Sequence, residues 1–413
     1  MTAKKAAKSA AKRTTKEAAK KVAKLAKVTK KAGAAAASAR ENAIRLPAEV
    51  RHARELAALA QNDEGEPPEG WALSPKMVEK FIVGGEEVEY EDPATGNEER
   101  VLVTPKFVGS KLLVRKAIVS LMSDRALLLV GPPGTAKSWL SEHLAAAVCG
   151  DSTRVIQGTA GTTEDQVKYS WNYALLIARG PSMKALVPSP LLQCLQEGKV
   201  CRFEELTRVP QEVQDCLISV LSEKNLVVPE LGRMFYAKRG FNLVATANTF
   251  DKGINEMSAA LKRRFNFVRV DPLGDVDREV ELVQERTNQL LEEQGVRVEL
   301  DRGLVELLVT VFVELRNGAT LDGTVKLRRP TTSPSTAEEI SVLFHGSLHA
   351  ASFGRGDTPK VEPKHLVSAL GGALVKDDEG DAEVVGEYFD LVARRRADQK
   401  LWKELYEARR RLS

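Results

Sequence analysis

Residues Ala126 to Leu144 read "ALLLVGPPGTAKSWLSEHL". The apolar run predicts a strand buried on both faces, and the glycine- and proline-rich turn ends it. From Lys137 the chain reads as a helix. Such a turn lets successive backbone N–H groups and the positive end of the helix dipole converge on phosphate oxygens. The expected binding residues are Gly131, Pro132, Pro133, Gly134, Thr135, Ala136, Lys137, Ser138 and Trp139. Lys137 would reach the β- and γ-phosphates of ATP, and the Ser138 hydroxyl would ligate Mg²⁺. One position departs from G-x-x-x-x-G-K-[ST]: Ala136 stands where the second glycine belongs. A methyl is tolerated if φ there is already negative, as at a helix start, and that is the expectation.

A phosphate loop needs a carboxylate at the end of a neighbouring strand. "KVCRFEELTR" supplies two, Glu204 and Glu205. Glu204 takes the usual Asp position, one methylene longer, and would hold Mg²⁺ through water; Glu205 would polarise the attacking water. "FNLVATANTF" ends a further apolar strand at Asn248, which either holds the lytic water or caps the strand end. "SAALKRRFNF" gathers Lys262, Arg263 and Arg264 before the next strand, as a solvated helix end or as a source of a guanidinium for a neighbouring subunit's nucleotide.

Around these motifs strand-like segments ("TRVIQG", "KVCRF", "FNLVATAN", "FNFVRVD") alternate with helical patterns such as "SPLLQCLQEG". That alternation predicts an α/β core with a parallel sheet over residues 106–273. From 274 to 413 helix follows helix, an all-α lid with C-terminal helices. Before the core, residues 41–105 read as a helix from Glu41, an acidic linker "QNDEGEPPEG", a capped helix in "WALSPKMVEKFIVGG" and a hairpin in "EEVEYEDPATGNEERVLVTP".

Residues 1–40 are a low-complexity Ala/Lys arm with 11 Lys and 2 Arg against Glu17. Its net +12, within a chain of +4, leaves the body at −8. Few bulky apolar side chains means too little buried surface to offset ordering entropy, so the arm is expected to be disordered or transiently helical. It reads as a solubilising tail or as a nonspecific nucleic-acid contact. No apolar run is long enough to span a membrane and no signal-peptide core is present, so a cytoplasmic protein is expected. The four cysteines form no C-x-x-C pair, and buried free thiols are expected. The absence of N-K-x-D argues against a GTPase, and no H-E-x-x-H occurs; His143, His345, His349 and His365 read as packing or surface residues.

P-loop, strand-terminal acid pair, strand-terminal Asn and an R-F step before the last strand, followed by a helical region, resemble an AAA+ ATPase. "GPPGTAKS", "EELTRVPQEVQDCLISVLSEKNLVVPELG" and "ATANTFDKGINEMSAALKRRFNF" look like the MoxR branch, and "WLSEHLAAA…GTAGTTEDQVKYSWNYALLIA" is most similar to its YehL-type subfamily. The resemblance covers about Pro75 to Phe344. It implies a homo-hexameric ring with ATP between protomers: Lys137, Ser138, Glu204, Glu205 and Asn248 on one side, Arg264 from the neighbour, with Arg263 as second choice. It also implies a helix-2 insertion in "VKYSWNYALLIARGPSMKALVPSP", a hairpin in "VVPELGRMFYAKRG", and a chaperone-like remodelling role beside a von Willebrand A domain partner. A metal-chelatase motor subunit and a nucleic-acid-associated ATPase are the alternatives. The match departs from the wider pattern at Glu204 and in the lid, where "TTSPSTAEEI" has Ser335 in place of an arginine; Arg328 or Arg329 stand as substitutes.

Overall fold

The computed structural model describes residues 44–411 apart from 94, 249–254, 332, 355, 357 and 376–378. The Ala/Lys arm at residues 1–40 lies outside them. By its contacts the chain divides into two units. The first runs to Gly131 and resumes from Lys137 to Arg269; the second comprises Pro132–Ala136 and Val270–Ser413.

The strands of the first unit are β1 (Glu86–Glu91), β2 (Glu98–Val103), β3 (Ala126–Gly131), β4 (Val155–Gln157), β5 (Tyr169–Trp171), β6 (Leu186–Pro188), β7 (Val200–Glu204), β8 (Asn225–Val228), β9 (Arg233–Tyr236), β10 (Asn242–Asn248) and β11 (Phe265–Arg269). Five of them form one parallel sheet in the order β11-β3-β10-β7-β4. These are the five apolar segments read from the sequence. β3 and β10 lie inside the sheet, which is why neither shows a polar alternation and every residue of β10 is buried. Register then places the chemistry: Asn248 pairs with Gly131, and β7 ends at Glu204 opposite Gln157. The C-terminal ends of β3, β10 and β7 thus open on one edge, where ligands collect in open α/β sheets.

Helices cover the sheet where caps permit. Helix Pro190–Glu197 starts at Ser189, whose hydroxyl accepts from the Leu192 N–H at 3.1 Å, and stops at Gly198 with φ 72°. A Cβ on Gly198 would meet the Arg239 carbonyl oxygen at 2.4 Å, so only glycine serves there. The expected insertion is β5, helix Tyr173–Arg179 and β6, with β5 and β6 antiparallel; the expected hairpin is β8–β9. Before the core, β1–β2 pair antiparallel and helix Pro75–Val83 is capped by Ser74. The helix expected from Glu41 instead begins at Ala48 and breaks at His52 into Ala48–Arg51 and Ala53–Gln61. Pro47 explains the later start, because the residue before a proline is held extended.

The second unit is helical: Val276–Glu293, Arg302–Asn317, Thr336–Phe353 and Pro363–Leu374 pack around Leu308, Phe312, Leu343, Leu366 and Tyr388. Asp275, Asp301 and Ser335 cap three of them. The stretch "EYFDLVARRRADQKLWKELYEARRRL" from Glu387 reads as one helix, but the structure divides it: helix Glu379–Tyr388 runs into a π-turn, Phe389–Ala393, and Lys400–Ala408 follows as a separate helix. Fully buried Glu314 supplies the reason: it accepts from the Tyr388 hydroxyl at 2.7 Å and from both terminal nitrogens of Arg396 at 2.8 and 3.1 Å. Among the described residues no helix is long and apolar enough to cross a membrane, and the four cysteines are free.

Candidate nucleotide-binding site

The loop after β3 has the expected strand-to-helix placement, with helix Lys137–Cys149 following. Lys137 is buried, and its ammonium donates to the Gly131 carbonyl at 3.0 Å; the Thr135 hydroxyl donates to the Pro132 carbonyl at 3.0 Å. The expectation for Ala136 is overturned. Its φ is +61°, in the left-handed region, beside Gly134 at +74°. A Cβ in that region approaches the following carbonyl oxygen and costs about 1–2 kcal/mol, so the chain carries strain where the motif has glycine.

Glu204, 4% exposed, is the best-satisfied acid of the site. One oxygen accepts from the Ser141 hydroxyl and from Arg202 Nη2 at 2.9 Å; the other accepts from the Thr246 hydroxyl at 2.7 Å. Arg202 also donates to the Ser138 carbonyl at 3.2 Å and to the Ser152 carbonyl at 2.9 Å, tying β7 to the helix after the loop. These contacts take three of the roughly four lone-pair positions of a carboxylate. One position remains for a metal-bound water, and the donors, Ser138 hydroxyl and Glu204 carboxylate, are the hard oxygens that suit Mg²⁺.

Glu205 points elsewhere. Its φ of +56° turns the chain sharply at the end of β7, and its N–H donates to the Thr246 hydroxyl at 3.0 Å. The Asn248 amide nitrogen donates to both Glu205 oxygens, at 3.1 and 2.9 Å, and Arg208 Nε lies 3.5 Å away. A strained backbone at an acid gripped by a strand-terminal amide is the kind of feature that clusters at functional sites. The Asn248 amide thus holds the Glu205 carboxylate at the sheet edge.

The basic trio divides. Arg264 donates Nε to the Ser222 hydroxyl and Nη1 to the Ala260 carbonyl, both at 2.9 Å. Arg263 is exposed and has no side-chain partner among the described residues. Trp139 follows Ser138 on the helix and faces the N-terminal segment: Arg45 and Arg51 lie 5.3 and 4.7 Å from its ring and both pair with Glu142. Behind them His143 is fully buried, and burial pushes its imidazole down to about 2, so it is neutral at any physiological pH. It is a packing residue, as its sequence context suggests.

Ser141, Arg202 and Thr246 were not singled out by sequence reasoning. The signal was present: Arg202 and Thr246 stand two residues before Glu204 and Asn248, hence on the same strand faces, and Ser141 lies one turn after Ser138.

The sequence comparisons agree with this architecture. Residues 126–265 match the AAA domain (dynein-related subfamily), and residues 277–413 match the YehL-like AAA+ ATPase C-terminal domain. An uncharacterized protein of Escherichia coli, YehL, is 44% identical over 372 residues, 89% of this chain and 97% of that protein. The chain belongs to the YehL-like AAA+ ATPases. An uncharacterized protein of Staphylococcus haemolyticus shares 29% identity over 40% of this chain and 62% of its own length. Among solved structures, NtrX from Brucella abortus superposes with a TM-score of 0.44 at 14% identity over 74% of this chain and 63% of that one. For a YehL-like AAA+ ATPase the five-stranded parallel sheet with its P-loop is the nucleotide-binding fold, and the helical second unit is the part matched by the family's C-terminal domain.

Proposed function

We propose that this protein hydrolyses ATP with Mg²⁺, and that Glu205 is the residue that activates the attacking water. The observation that carries the reading is the Glu205–Asn248 pair at the open sheet edge, in register with the P-loop strand. Lys137 and the loop N–H groups would hold the phosphates, as a cationic cradle that gains strength from burial. Bound through Ser138 and, by way of water, Glu204, Mg²⁺ would neutralise the charge of the phosphate oxygens. Asn248 orients the Glu205 carboxylate, so that one oxygen can accept a proton from a water placed before it. Thr246 bridges the two acids, donating its hydroxyl to Glu204 and accepting the Glu205 N–H, so the metal side and the water side are positioned by one side chain.

Assembly follows from the resemblance and from the basic trio. A ring, expected to be hexameric, would bring Arg264 or Arg263 to a neighbour's nucleotide; the exposure of Arg263 favours testing both. The exposed apolar side chains of the insertion and hairpin, Tyr173, Ile177, Val227 and Tyr236, suit contact with a client or a von Willebrand A domain partner in a chaperone-like remodelling role. Steady-state ATP hydrolysis against protein concentration tests the whole reading. Specific activity should rise with concentration, and Glu205→Gln should lower turnover by about 10²–10⁴ while leaving ATP bound, the usual worth of a general base. Mixing Glu205→Gln with the arginine variant that abolishes turnover should restore part of the activity. ATP binding without turnover at any concentration would overturn the hydrolase reading.

A further inference from the structure

Arg202 stands in β7 two residues before Glu204, on the same face of the strand, and its side chain is 11% exposed. All three guanidinium nitrogens are engaged. Nε donates to the Ser141 hydroxyl at 3.1 Å and Nη1 to the Ser152 carbonyl at 2.9 Å; Nη2 donates both to the Ser138 carbonyl at 3.2 Å and to a Glu204 oxygen at 2.9 Å. Ser138 and Glu204 are the residues suited to hold Mg²⁺, and they belong to different elements, the first turn of helix Lys137–Cys149 and the end of β7. Arg202 therefore ties the backbone of one and the carboxylate of the other to a single planar group.

Ser141 makes the same two contacts, to the Ser138 carbonyl at 2.9 Å and to the Glu204 oxygen that Arg202 also meets. A hydroxyl carries one hydrogen, so it serves one of these acceptors at a time. The guanidinium serves both at once, because its donors form a rigid fork. Thr246 holds the second Glu204 oxygen at 2.7 Å, so donors grip the carboxylate at both oxygens. This matters for a glutamate in particular. Its extra methylene adds a rotatable bond relative to aspartate, and a carboxylate free to turn about that bond would spread over several positions relative to Ser138. The donors select one of them.

We propose that Arg202 is the positioning residue of the metal side: by holding Glu204 and the Ser138 backbone in one frame, it sets how strongly Mg²⁺ promotes ATP binding. The proposal rests on the nucleotide reading above and adds to it a residue that acts through its neighbours. A tie that served stability alone would not distinguish ATP with the metal from ATP without it.

Equilibrium binding of ATP to the full chain, measured in Mg²⁺ and again in EDTA, tests it, with folding checked by circular dichroism. Arg202→Lys keeps a cation but replaces the fork by one ammonium, which loses the planar contact with Ser138, Ser152 and Glu204 together. The ratio of the two affinities should fall by about 10–100-fold, the usual cost of removing an outer-shell partner of a metal ligand, while affinity in EDTA stays within about twofold of native. Ser141→Ala takes one hydroxyl from the frame and leaves the guanidinium; it should lower the same ratio by a smaller factor, and it decides the matter if the lysine variant does not fold. A native ratio in a folded variant, or an equal loss in Mg²⁺ and in EDTA, overturns the proposal and leaves Arg202 a tie between β7 and the helix. Lys137→Ala separates the two readings. It should weaken ATP in both solutions; if it binds ATP like the native chain, the nucleotide site itself is misassigned and the proposal falls with it.

Discussion

Each unit buries a glutamate at its centre, and the two are treated in opposite ways. Glu204 of the sheet unit accepts three hydrogen bonds, from Ser141, Arg202 and Thr246. Glu339 of the helical unit accepts none, though it is the more buried of the two. A buried carboxylate survives as an anion only when its lone pairs are met by donors; otherwise it takes up a proton. Glu204 is thus held in place by three donors at the open edge of the sheet. Glu339 is held well above the usual carboxylate range by burial and by its neighbour Glu279, which accepts from both terminal nitrogens of Arg316. The same residue type serves as an anchor in one region and as a spacer in the other, and only the donors around it decide which.

The comparison breaks first at Arg202. Its side chain is nearly buried against Glu204, and Arg202→Ala leaves that carboxylate with hydroxyl donors alone. Loss of one partner of a buried pair costs about 3–5 kcal/mol. Urea unfolding should show a loss of that order, and Arg202→Met should do little better because Glu204 still loses its guanidinium donor. An unaffected midpoint would mean that Ser141 and Thr246 suffice, and that Arg202 is not what anchors Glu204.

Glu339→Gln sharpens the other side of the comparison. Unfolded, the carboxyl releases its proton near the ordinary value of 4.5; folded, it keeps the proton to a higher pH. The stability this group contributes is therefore complete below about 4.5 and erodes as pH rises toward the folded value, by at most about 1.4 kcal/mol per pH unit. Glutamine mimics the protonated form and does not titrate. The variant should match the native chain in thermal unfolding at pH 4.5 and exceed it increasingly toward pH 8. A variant that is less stable at pH 8 would place an ionised Glu339 beside Arg316 and reverse the assignment.

The contrast between these two acids also marks how far the sequence could be read. The five strands, the P-loop and the strand-end positions of Glu204 and Asn248 were legible because strand register is set by hydrophobic pattern, and the strand ends then fall together; that Asn248 grips Glu205 was not. Arg202 and Thr246 were within reach through two-residue alternation. Glu339 was not. In "TAEEI" it reads as one of two acids in the first turn of a capped helix, a common solvated arrangement, and the capping box does use Glu338. Only the approach of Arg316 from another helix reveals that its neighbour in sequence is buried. The end of the C-terminal helix was misread for the same reason, since the pull of Glu314 on Arg396 comes from 82 residues away.

The smallest effect concerns the loop that joins β3 to its helix. Ala136 is exposed, so its methyl buries little, yet its φ of +61° is one that glycine adopts freely. Ala136→Gly relieves about 1–2 kcal/mol of left-handed strain and returns about 0.4–1 kcal/mol through the greater freedom of glycine in the unfolded chain. A net gain of about 0.5–1 kcal/mol in thermal stability is expected, with Glu204 and Glu339 both undisturbed. The strain also has a functional side. A loop held by an alanine in this region has fewer conformations to choose from when it meets phosphate, so the glycine variant should release nucleotide faster even as it unfolds at a higher temperature. If stability rises and the dissociation rate is unchanged, the alanine is tolerated strain and nothing more; if stability falls, the methyl makes contacts that outweigh its backbone cost, and the loop is held by packing as well as by its hydrogen bonds.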